Sequence, residues 1–200
     1  MSEIEIVEKP DWISWDDIHQ CLWEAHKRNR ERGITMRTTL LSGDELRRRI
    51  QHDSLNFKTY VLLDGKKLVG TGSVSIRQKK AWYVNGTVAY FLCNGIIPEY
   101  TGRGLNKLLY QKREEFGYMN NCILIYYDTA EGNKFKQEID IKKGFRKVDY
   151  FASKSKHYSV VLAKWYGKCP YSKLYCRIRF LLKKVYIQLR FKPGKIRRLI

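Results

Sequence analysis

Two stretches near the start of the chain carry apolar side chains at the three- and four-residue spacing of an amphipathic helix. In the first, residues 15–30, tryptophan, isoleucine and leucine fall on one side. Ser14 is a suitable N-cap because its hydroxyl can accept a hydrogen bond from a first-turn amide, and Gly33 can stop the helix. The second stretch, residues 42–52, begins in the same way at Ser42. The pattern therefore predicts two helices before the first strand.

Apolar runs in the middle of the chain predict β-strands. Residues 57–63 and 67–76 flank Asp64-Gly65, a dipeptide that favours a hairpin turn. Residues 82–97 form a long apolar run, typical of a strand at the centre of a sheet. The elements predicted downstream are a helix at 107–117, a strand at 122–128, a helix at 131–143 and strands at 145–151 and 158–164. This order indicates an α/β (α+β) domain.

The long apolar strand stops at Pro98, and two glycines, Gly102 and Gly104, lead into the next helix. A helix N-terminus presents unpaired amides and the positive end of its dipole, and glycine has no Cβ to keep an anion away. Two common phosphate-binding motifs do not fit, because the sequence lacks Gly-x-x-x-x-Gly-Lys-Ser/Thr and the third glycine of the dinucleotide fingerprint. The segment indicates a phosphorylated cofactor held by another kind of loop.

The segment from Ile96 to Asn106 resembles the pyrophosphate-binding motif of the GCN5-related N-acetyltransferase (GNAT) superfamily, Gln/Arg-x-x-Gly-x-Gly/Ala after a strand that ends in aliphatic-x-Pro. Thr101 replaces the family's Gln or Arg, and Asn106 replaces its small last residue. Neither change removes a backbone amide. Downstream, the order of Asn133, a helix and Gly144-Phe145 is similar to a second family signature. The likeness covers about residues 57–164.

This resemblance implies a GNAT-like mixed, mainly antiparallel sheet with flanking helices. It also implies acetyl-CoA, or another acyl-CoA, as co-substrate and no metal. In the family, the strands before and after the loop splay apart, and the pantetheine arm lies between them like an added strand. The residues that match the family's cofactor contacts are Asn94, Ile96, Ile97, Gly102, Arg103, Gly104, Leu105, Asn106 and Asn133.

Catalytic roles are harder to assign from the sequence. An amine acceptor is mostly protonated at neutral pH, so a base must remove a proton, and Asp128 and Tyr90 are the candidates. Asp128 is equally compatible with a capping or loop carboxylate. Many family members place a tyrosine four residues before the Gly-Phe pair to protonate the leaving thiolate, and that position is Asp140 here. Either another group supplies this proton, with Tyr126 and Tyr127 as candidates, or the thiolate leaves unassisted, so the sequence leaves the general acid unassigned.

Two residues are candidates for contact with the acceptor. In the resembling fold the first helix borders the acceptor cleft, so His26 on that helix and Arg37 in the following loop would touch the substrate. The alternative for His26 is packing, because it shares a helix face with Trp15 and Trp23.

Positive charge is concentrated at the C-terminal end of the chain. The formal net charge is +19, yet residues 150–200 contain 14 Lys or Arg and no Asp or Glu. Between Tyr171 and Leu189, apolar residues recur at helical spacing, with Lys173, Arg177 and Lys184 along another face. The pattern predicts a basic amphipathic helix in a C-terminal extension, residues 165–200, that follows an acyltransferase domain of residues 1–164.

The sequence leaves the role of this helix open between two alternatives. Six Lys or Arg between residues 171 and 191 exclude a transmembrane span. Segregated aromatic, aliphatic and basic residues fit an interfacial helix on an anionic membrane. The apolar face is equally compatible with packing on the domain or across a homodimer. Nucleic-acid binding is disfavoured because no base-reading module is recognised.

Composition agrees with a small enzyme. Two hundred residues, 44% of them hydrophobic, suit one domain with a full core. The first eight residues are acidic with no apolar segment after them, which predicts a cytoplasmic protein, or one peripheral to the inner face of the membrane. Five cysteines without Cys-x-x-Cys argue against a disulfide framework or a zinc site. Cys93 and Cys122 are expected to be buried thiols.

Together these features predict an N-acetyltransferase that passes an acetyl, or a longer acyl, group from coenzyme A directly to a primary amine in a ternary complex. The expected acceptor is a small molecule or an envelope-precursor amine. The alternative is a non-catalytic acyl-CoA-binding or membrane-docking module, in which Asp140 marks lost chemistry.

Overall fold

The computed structural model describes residues 4–34, 36–153 and 158–191. The strands of this part of the chain are β1 (Ile4–Glu8), β2 (Asn56–Asp64), β3 (Lys67–Ala81), β4 (Val84–Ile96), β5 (Leu124–Ala130), β6 (Arg146–Ala152) and β7 (Tyr158–Trp165). The helices are α1 (Trp15–Ala25), α2 (Lys27–Glu31), α3 (Gly43–Gln51), α4 (Leu105–Met119), α5 (Lys134–Lys142) and α6 (Lys173–Arg190).

The seven strands form one sheet in the order β1-β2-β3-β4-β5-β7-β6. Each neighbouring pair is antiparallel except β4 and β5, which run parallel. The predicted mixed, mainly antiparallel sheet with flanking helices is confirmed. The parallel pair lies at the centre of the sheet, and it is joined by the long connection that contains the glycine turn and α4.

The N-terminal elements differ from the sequence prediction in two ways. Strand β1 was not predicted, because two of its five residues are acidic and only pairing with β2 makes them extended. The predicted helix over residues 15–30 is interrupted at His26, whose backbone is not helical, so α1 and α2 are separate. At this break α1 packs tightly on β4, where a Cβ added to Gly95 would lie 2.7 Å from the Cβ of Ala25.

Both predicted N-caps are present. The hydroxyl of Ser14 accepts a hydrogen bond from the amide of Asp17 at 3.0 Å, and the Asp17 carboxylate accepts from the Ser14 amide at 2.7 Å. Ser42 and Glu45 make the same reciprocal capping box at the start of α3. These bonds pair backbone amides at the start of the helix that have no partner within it, and they fix where each helix begins.

The two faces of the sheet have separate cores. Helices α1 and α3 cover one face with the fully buried side chains Ile18, Leu22, Leu46 and Ile50. Helices α4 and α6 cover the other face with Phe116, Phe180 and Ile187. Side chains alternate between faces along a strand, so neighbouring residues of β4 and β5 contribute to different cores. The expected buried thiols Cys93 and Cys122 are both buried.

Helix α6 confirms the predicted C-terminal helix and packs against β6, the strand at one edge of the sheet. Ser172 caps its start, and Cys176, Phe180 and Ile187 form its buried face. Arg146 donates to the carbonyl of Tyr171 at 2.5 Å and so fixes the segment that leads into α6. The helix thus covers one face of this edge strand. The division into a domain and an extension stays a prediction.

Within the three described segments, no helix has both the length and the apolar character needed to cross a bilayer.

Candidate active site

A cleft opens at the centre of the sheet where β4 and β5 separate. The two strands pair only from Val88 opposite Leu124 to Tyr90 opposite Tyr126. Beyond this point β4 continues for six residues without a partner on its β5 side. The cleft has a volume of about 580 Å³ and is bordered by α1, α4 and α5. Backbone groups that lack a strand partner here are available to an extended ligand.

An irregularity in β4 produces the separation. On β3, Thr71 lies opposite Gly95 but Ser73 lies opposite Leu92, so β4 contains one extra residue. Cys93, within this bulge, has a left-handed φ of 53°, which is unusual for a residue with a Cβ. A β-bulge bends its strand, and here the bend turns β4 away from β5.

The backbone beyond the bulge distinguishes Ile96 from Ile97. The amide of Ile97 donates to the carbonyl of Val69 at 3.0 Å, and its side chain is buried in a core cluster. Ile97 therefore has neither its amide nor its side chain in the cleft, contrary to its prediction as a cofactor contact. Because amides alternate along a strand, that of Ile96 points to the cleft side, and Ile96 lines the cleft.

The glycine turn places the start of α4 at the mouth of the cleft. Gly102 and Gly104 have φ values of 81° and 76°, which side-chain-bearing residues rarely adopt. Gly104 occupies the N-cap position, and no side chain caps the helix. The hydroxyl of Thr101, which could have served, donates to the Pro98 carbonyl instead. The helix begins at Leu105, two residues earlier than predicted, so Leu105 and Asn106 present first-turn amides.

The side chain of Arg103 points away from this mouth. Its guanidinium donates to the carbonyl of Glu99 at 3.2 Å and lies 4.7 Å from the ring centre of Tyr100. Only the backbone of Arg103 can take the predicted role in anion binding.

A buried arginine holds the cleft wall in place. Arg113 on α4 is 4% exposed and donates to the side-chain oxygen of Asn94 at 2.7 Å. The amide group of Asn94 in turn donates to the side chain of Asn106 at 3.1 Å. Burial lowers the pKa of Arg113 to about 10. This chain of bonds connects the bulge of β4 to the first turn of α4.

Tyr90 and Asp128 lie together on the face covered by α1 and α3. The Tyr90 hydroxyl donates to the Asp128 carboxylate at 2.5 Å, and Arg49 on α3 donates to the same hydroxyl at 3.3 Å. Burial, followed by the charge of Asp128, raises the pKa of Tyr90 well above its usual range. Tyr90 is therefore a poor base at neutral pH, whereas the second carboxylate oxygen of Asp128 has no hydrogen-bond partner among the described residues.

Of the two predicted acceptor contacts, His26 lines this side of the cleft. Its Nδ1 lies 3.2 Å from the side-chain nitrogen of Asn29. Burial lowers the pKa of His26 to about 4, so its ring is neutral at pH 7. The side chain of Arg37 lies outside the described part of the structure, and its predicted role stays a prediction.

Tyr127 and Asp140 lie on the opposite face, beside α4 and α5. The Tyr127 hydroxyl donates to the Asp140 carboxylate, which also accepts from Lys136. Burial, followed by the charge of Asp140, raises the pKa of Tyr127 well above its usual range. Tyr126 instead stacks on Tyr90, with 4.7 Å between ring centres, and does not line the cleft. The cleft thus has a carboxylate on one face and a protonated phenol on the other.

Asn133 immediately precedes α5 and lines the cleft, and its predicted contact with the cofactor stays a prediction. Its side-chain nitrogen lies 3.4 Å from the hydroxyl of Thr129 at the end of β5. This contact connects the strand to the helix that carries Asp140.

Two site residues were missed in the sequence, although each breaks a helical pattern. Arg49 stands three residues after the buried Leu46, and Arg113 stands four after the buried Leu109. Charged residues are rarely buried, so an arginine within an apolar helix stripe indicates a specific partner. An arginine within an apolar helical stripe is therefore the sequence signal that could have identified Arg49 and Arg113.

A sequence model of the acetyltransferase (GNAT) family matches residues 15–138. This match covers more than half of the chain and includes the bulge, the glycine turn and most of α5. No curated protein sequence matches the chain.

Several solved structures have a similar fold. An acetyltransferase of the GNAT family from Streptococcus pneumoniae has a TM-score of 0.57 and 16% identity, over 82% of this chain and 100% of that one. A probable acetyltransferase from Staphylococcus epidermidis has a TM-score of 0.61 and 15% identity, over 82% and 100%. The PaiA N-acetyltransferase from Thermoplasma acidophilum, in complex with coenzyme A, has a TM-score of 0.56 and 19% identity, over 82% and 99%.

Proposed function

The chain belongs to the acetyltransferase (GNAT) family, and we propose that it transfers an acetyl group from acetyl-CoA directly to a primary amine. The observation that carries this proposal is the separation of β4 and β5 beyond Tyr90 and Tyr126, with the uncapped start of α4 at its mouth. The slot between the strands, lined by unpaired backbone groups, matches the amide-containing arm of coenzyme A. The N-terminal end of α4, which can bind an anion, matches its pyrophosphate.

The residues present fit this co-substrate. The amides of Gly102, Arg103, Gly104, Leu105 and Asn106 would hold the pyrophosphate at the uncapped start of α4. Two of these residues, Gly102 and Gly104, have positive φ values and open space where a side chain would be. Asn94, the backbone of Ile96, and Asn133 would hold the arm. When bound, acetyl-CoA supplies the acetyl group as an activated thioester. The chain of bonds from Arg113 through Asn94 keeps the slot open in advance, which lowers the ordering cost of binding.

On the acceptor side, Asp128 is the proposed base. Its carboxylate borders both the main cleft and a smaller cavity of about 200 Å³ on the α3 side. Tyr90 donates to one oxygen and fixes the carboxylate, so the other oxygen accepts the proton of the incoming amine. Arg49 fixes Tyr90 in turn. His26, neutral at pH 7, is placed to contact the acceptor without repelling a protonated amine.

On the other face, Tyr127 is the proposed proton donor to the leaving thiolate. Its raised pKa keeps the phenol protonated at neutral pH. As the thiolate forms, the Tyr127 hydroxyl would release its hydrogen bond to Asp140 and donate that proton to the sulfur, and the phenolate would then regain a proton from solvent. The proposed acid, Tyr127, and the proposed base, Asp128, therefore act from opposite faces of the sheet. Both reach the reacting groups only in the cleft where β4 and β5 separate. This arrangement separates the two proton transfers and requires no covalent enzyme intermediate.

We propose a small-molecule amine as acceptor, with an envelope-precursor amine as a member of the same class. The smaller cavity is lined by Met36, Phe151 and Ser153 as well as by Arg49 and Asp128, so it is partly apolar with one cation. The predicted cytoplasmic location and the homodimer stay predictions.

Thermal unfolding with and without acetyl-CoA tests the proposal. A ligand at about a hundred times its dissociation constant adds about 2.7 kcal/mol, which for this size raises the midpoint by roughly 5–10 °C. Gly104→Val should abolish this rise. Gly33→Val is the matched control, because Gly33 has a similar φ of 70° with nothing within 4 Å of an added Cβ.

An amine screen that follows acetyl-CoA consumption then separates an enzyme from a non-catalytic binding module. A midpoint rise without turnover of any amine would favour the binding module. The absence of a rise in the wild-type protein would exclude acetyl-CoA as the ligand.

A further inference from the structure

Helix α6 presents an apolar face to solvent, opposite the face that it buries against β6. Cys176, Phe180 and Ile187 point inward. At about 100° per residue, eight large apolar side chains fall within an outward arc of roughly 140°. These side chains are all exposed, and they are Leu174, Tyr175, Ile178, Leu181, Leu182, Val185, Tyr186 and Leu189. The apolar stripe of the sequence is therefore not the packing face, which removes the alternative in which this stripe packs on the domain.

Basic residues border this arc along both sides. Lys173, Arg177 and Lys184 form one row, and Arg179, Lys183 and Arg190 form the other. Helix α6 contains no Asp or Glu, and residues 192–200 add four more Lys or Arg and no acidic residue. Of the six basic residues, Lys184 is paired with Glu131 at 2.6 Å. An apolar face between two basic rows matches the layers of an anionic lipid surface, acyl chains below and charged headgroups above.

A second copy of the chain fits this face less well. A two-fold contact would place the same helix on both sides of the interface. Each basic row would then meet a basic row of the other copy, with no acidic residue on either helix to neutralise it. Like charges facing each other across an interface oppose association.

We propose that α6 docks the protein on an anionic membrane surface through this outward face. The buried face of the helix stays on β6, so docking requires no unfolding of the domain. The aromatic ring of Tyr186 lies at the edge of the arc, where amphipathic side chains meet headgroups. Tyr175 lies at the same edge but stacks on Tyr171, with 5.7 Å between ring centres. Docking would hold the enzyme at a lipid surface independently of its acetyl transfer, and the inference does not depend on the acceptor.

Sedimentation of the intact protein with vesicles tests this inference. We expect at least tenfold tighter binding to phosphatidylcholine vesicles with one quarter phosphatidylserine than to phosphatidylcholine alone. Each basic residue near the surface contributes about fivefold, so Arg177→Gln should weaken binding by about that factor. Leu182→Glu should weaken binding more than tenfold.

Leu55→Glu is the matched control, because Leu55 is 64% exposed and Leu182 is 65% exposed, on separate parts of the surface. It should leave vesicle binding unchanged. Equal binding by wild type and Leu182→Glu would overturn the inference. A second result would also overturn it: the wild type does not bind vesicles and is a dimer by sedimentation equilibrium, and Leu182→Glu is a monomer. Acetyl-CoA binding should be unchanged in every variant.

Discussion

The hydroxyl of Tyr127 donates a hydrogen bond to the carboxylate of Asp140, which joins strand β5 to helix α5 at the wall of the cleft. Asp140 stands where many members of the family have a tyrosine, four residues before Gly144. The phenol thus comes from the strand and not from the helix. In the proposed mechanism, a carboxylate at the helix position does not end the chemistry, because it positions the phenol that we propose for the same purpose.

The first prediction concerns this phenol. Tyr127→Phe should lower kcat by about 10²–10³, since a positioned general acid contributes about 10²–10⁴. The KM for acetyl-CoA should change little, because the ring remains. Steady-state kinetics with the best amine found in the screen checks both values. The control is Tyr83→Phe, which removes a buried hydroxyl that has no hydrogen-bond partner among the described residues.

The effect of pH on the Asp140→Asn variant is the second prediction. The charge of Asp140 contributes to the raised pKa of Tyr127, after burial. Removing this charge lowers that pKa, so the phenol loses its proton at a lower pH. The alkaline fall in kcat should therefore move to lower pH in Asp140→Asn. An unchanged pH–rate profile would show that Tyr127 does not donate the proton.

Much of the fold was predictable because local chemistry determines it. Both N-caps followed from a serine before an acidic first turn, and the hairpin followed from Asp64-Gly65. The short strand β1 was not predictable, because only its pairing with β2 makes its residues extended. The break at His26 lies where α1 packs closely on β4 at Gly95, a contact that the local sequence does not specify.

The candidate site was only partly predictable for the same reason. The glycine turn and Asn133 were evident because a motif carries them. The pairing of Tyr127 with Asp140 joins residues 13 positions apart in different elements, and Arg49 meets Tyr90 over 41 positions. Nothing in the local sequence specifies such contacts. Ile97 was misassigned because the bulge, which is invisible in the sequence, decides which amides face the cleft.

Asp128 provides the third prediction. Asp128→Asn should lower kcat/KM for the amine by at least about 100-fold, because the amide cannot accept a proton at neutral pH. The acetyl-CoA midpoint shift should persist, because Asp128 lies on the acceptor side. Asp11→Asn, at an exposed position, is the control. If Asp128→Asn kept wild-type kcat/KM, Asp128 would be a structural carboxylate only.

Arg113 provides the fourth prediction. No carboxylate lies within 4 Å of Arg113 among the described residues. Arg113→Met therefore leaves no buried anion unpaired, and the free energy of unfolding should change by no more than about 1 kcal/mol. Asn94 loses its anchor, so the KM for acetyl-CoA should rise about tenfold. Arg103→Met, which alters an exposed side chain outside the cleft, should leave this KM unchanged.

His26 provides a prediction about stability. Its pKa is about 4 in the folded protein, below the value of about 6.5 for an unfolded chain. As the pH falls below about 6.5, the unfolded chain binds the proton first, so the folded state loses stability between about pH 6.5 and pH 4. From pH 7 to pH 5.5 this loss is about 1 kcal/mol. Urea unfolding at the two pH values should show that the free energy of unfolding falls by about 1 kcal/mol less in His26→Gln than in wild type. The exposed His52→Gln is the control, and an equal loss in His26→Gln and wild type would show that His26 takes up its proton equally in both states.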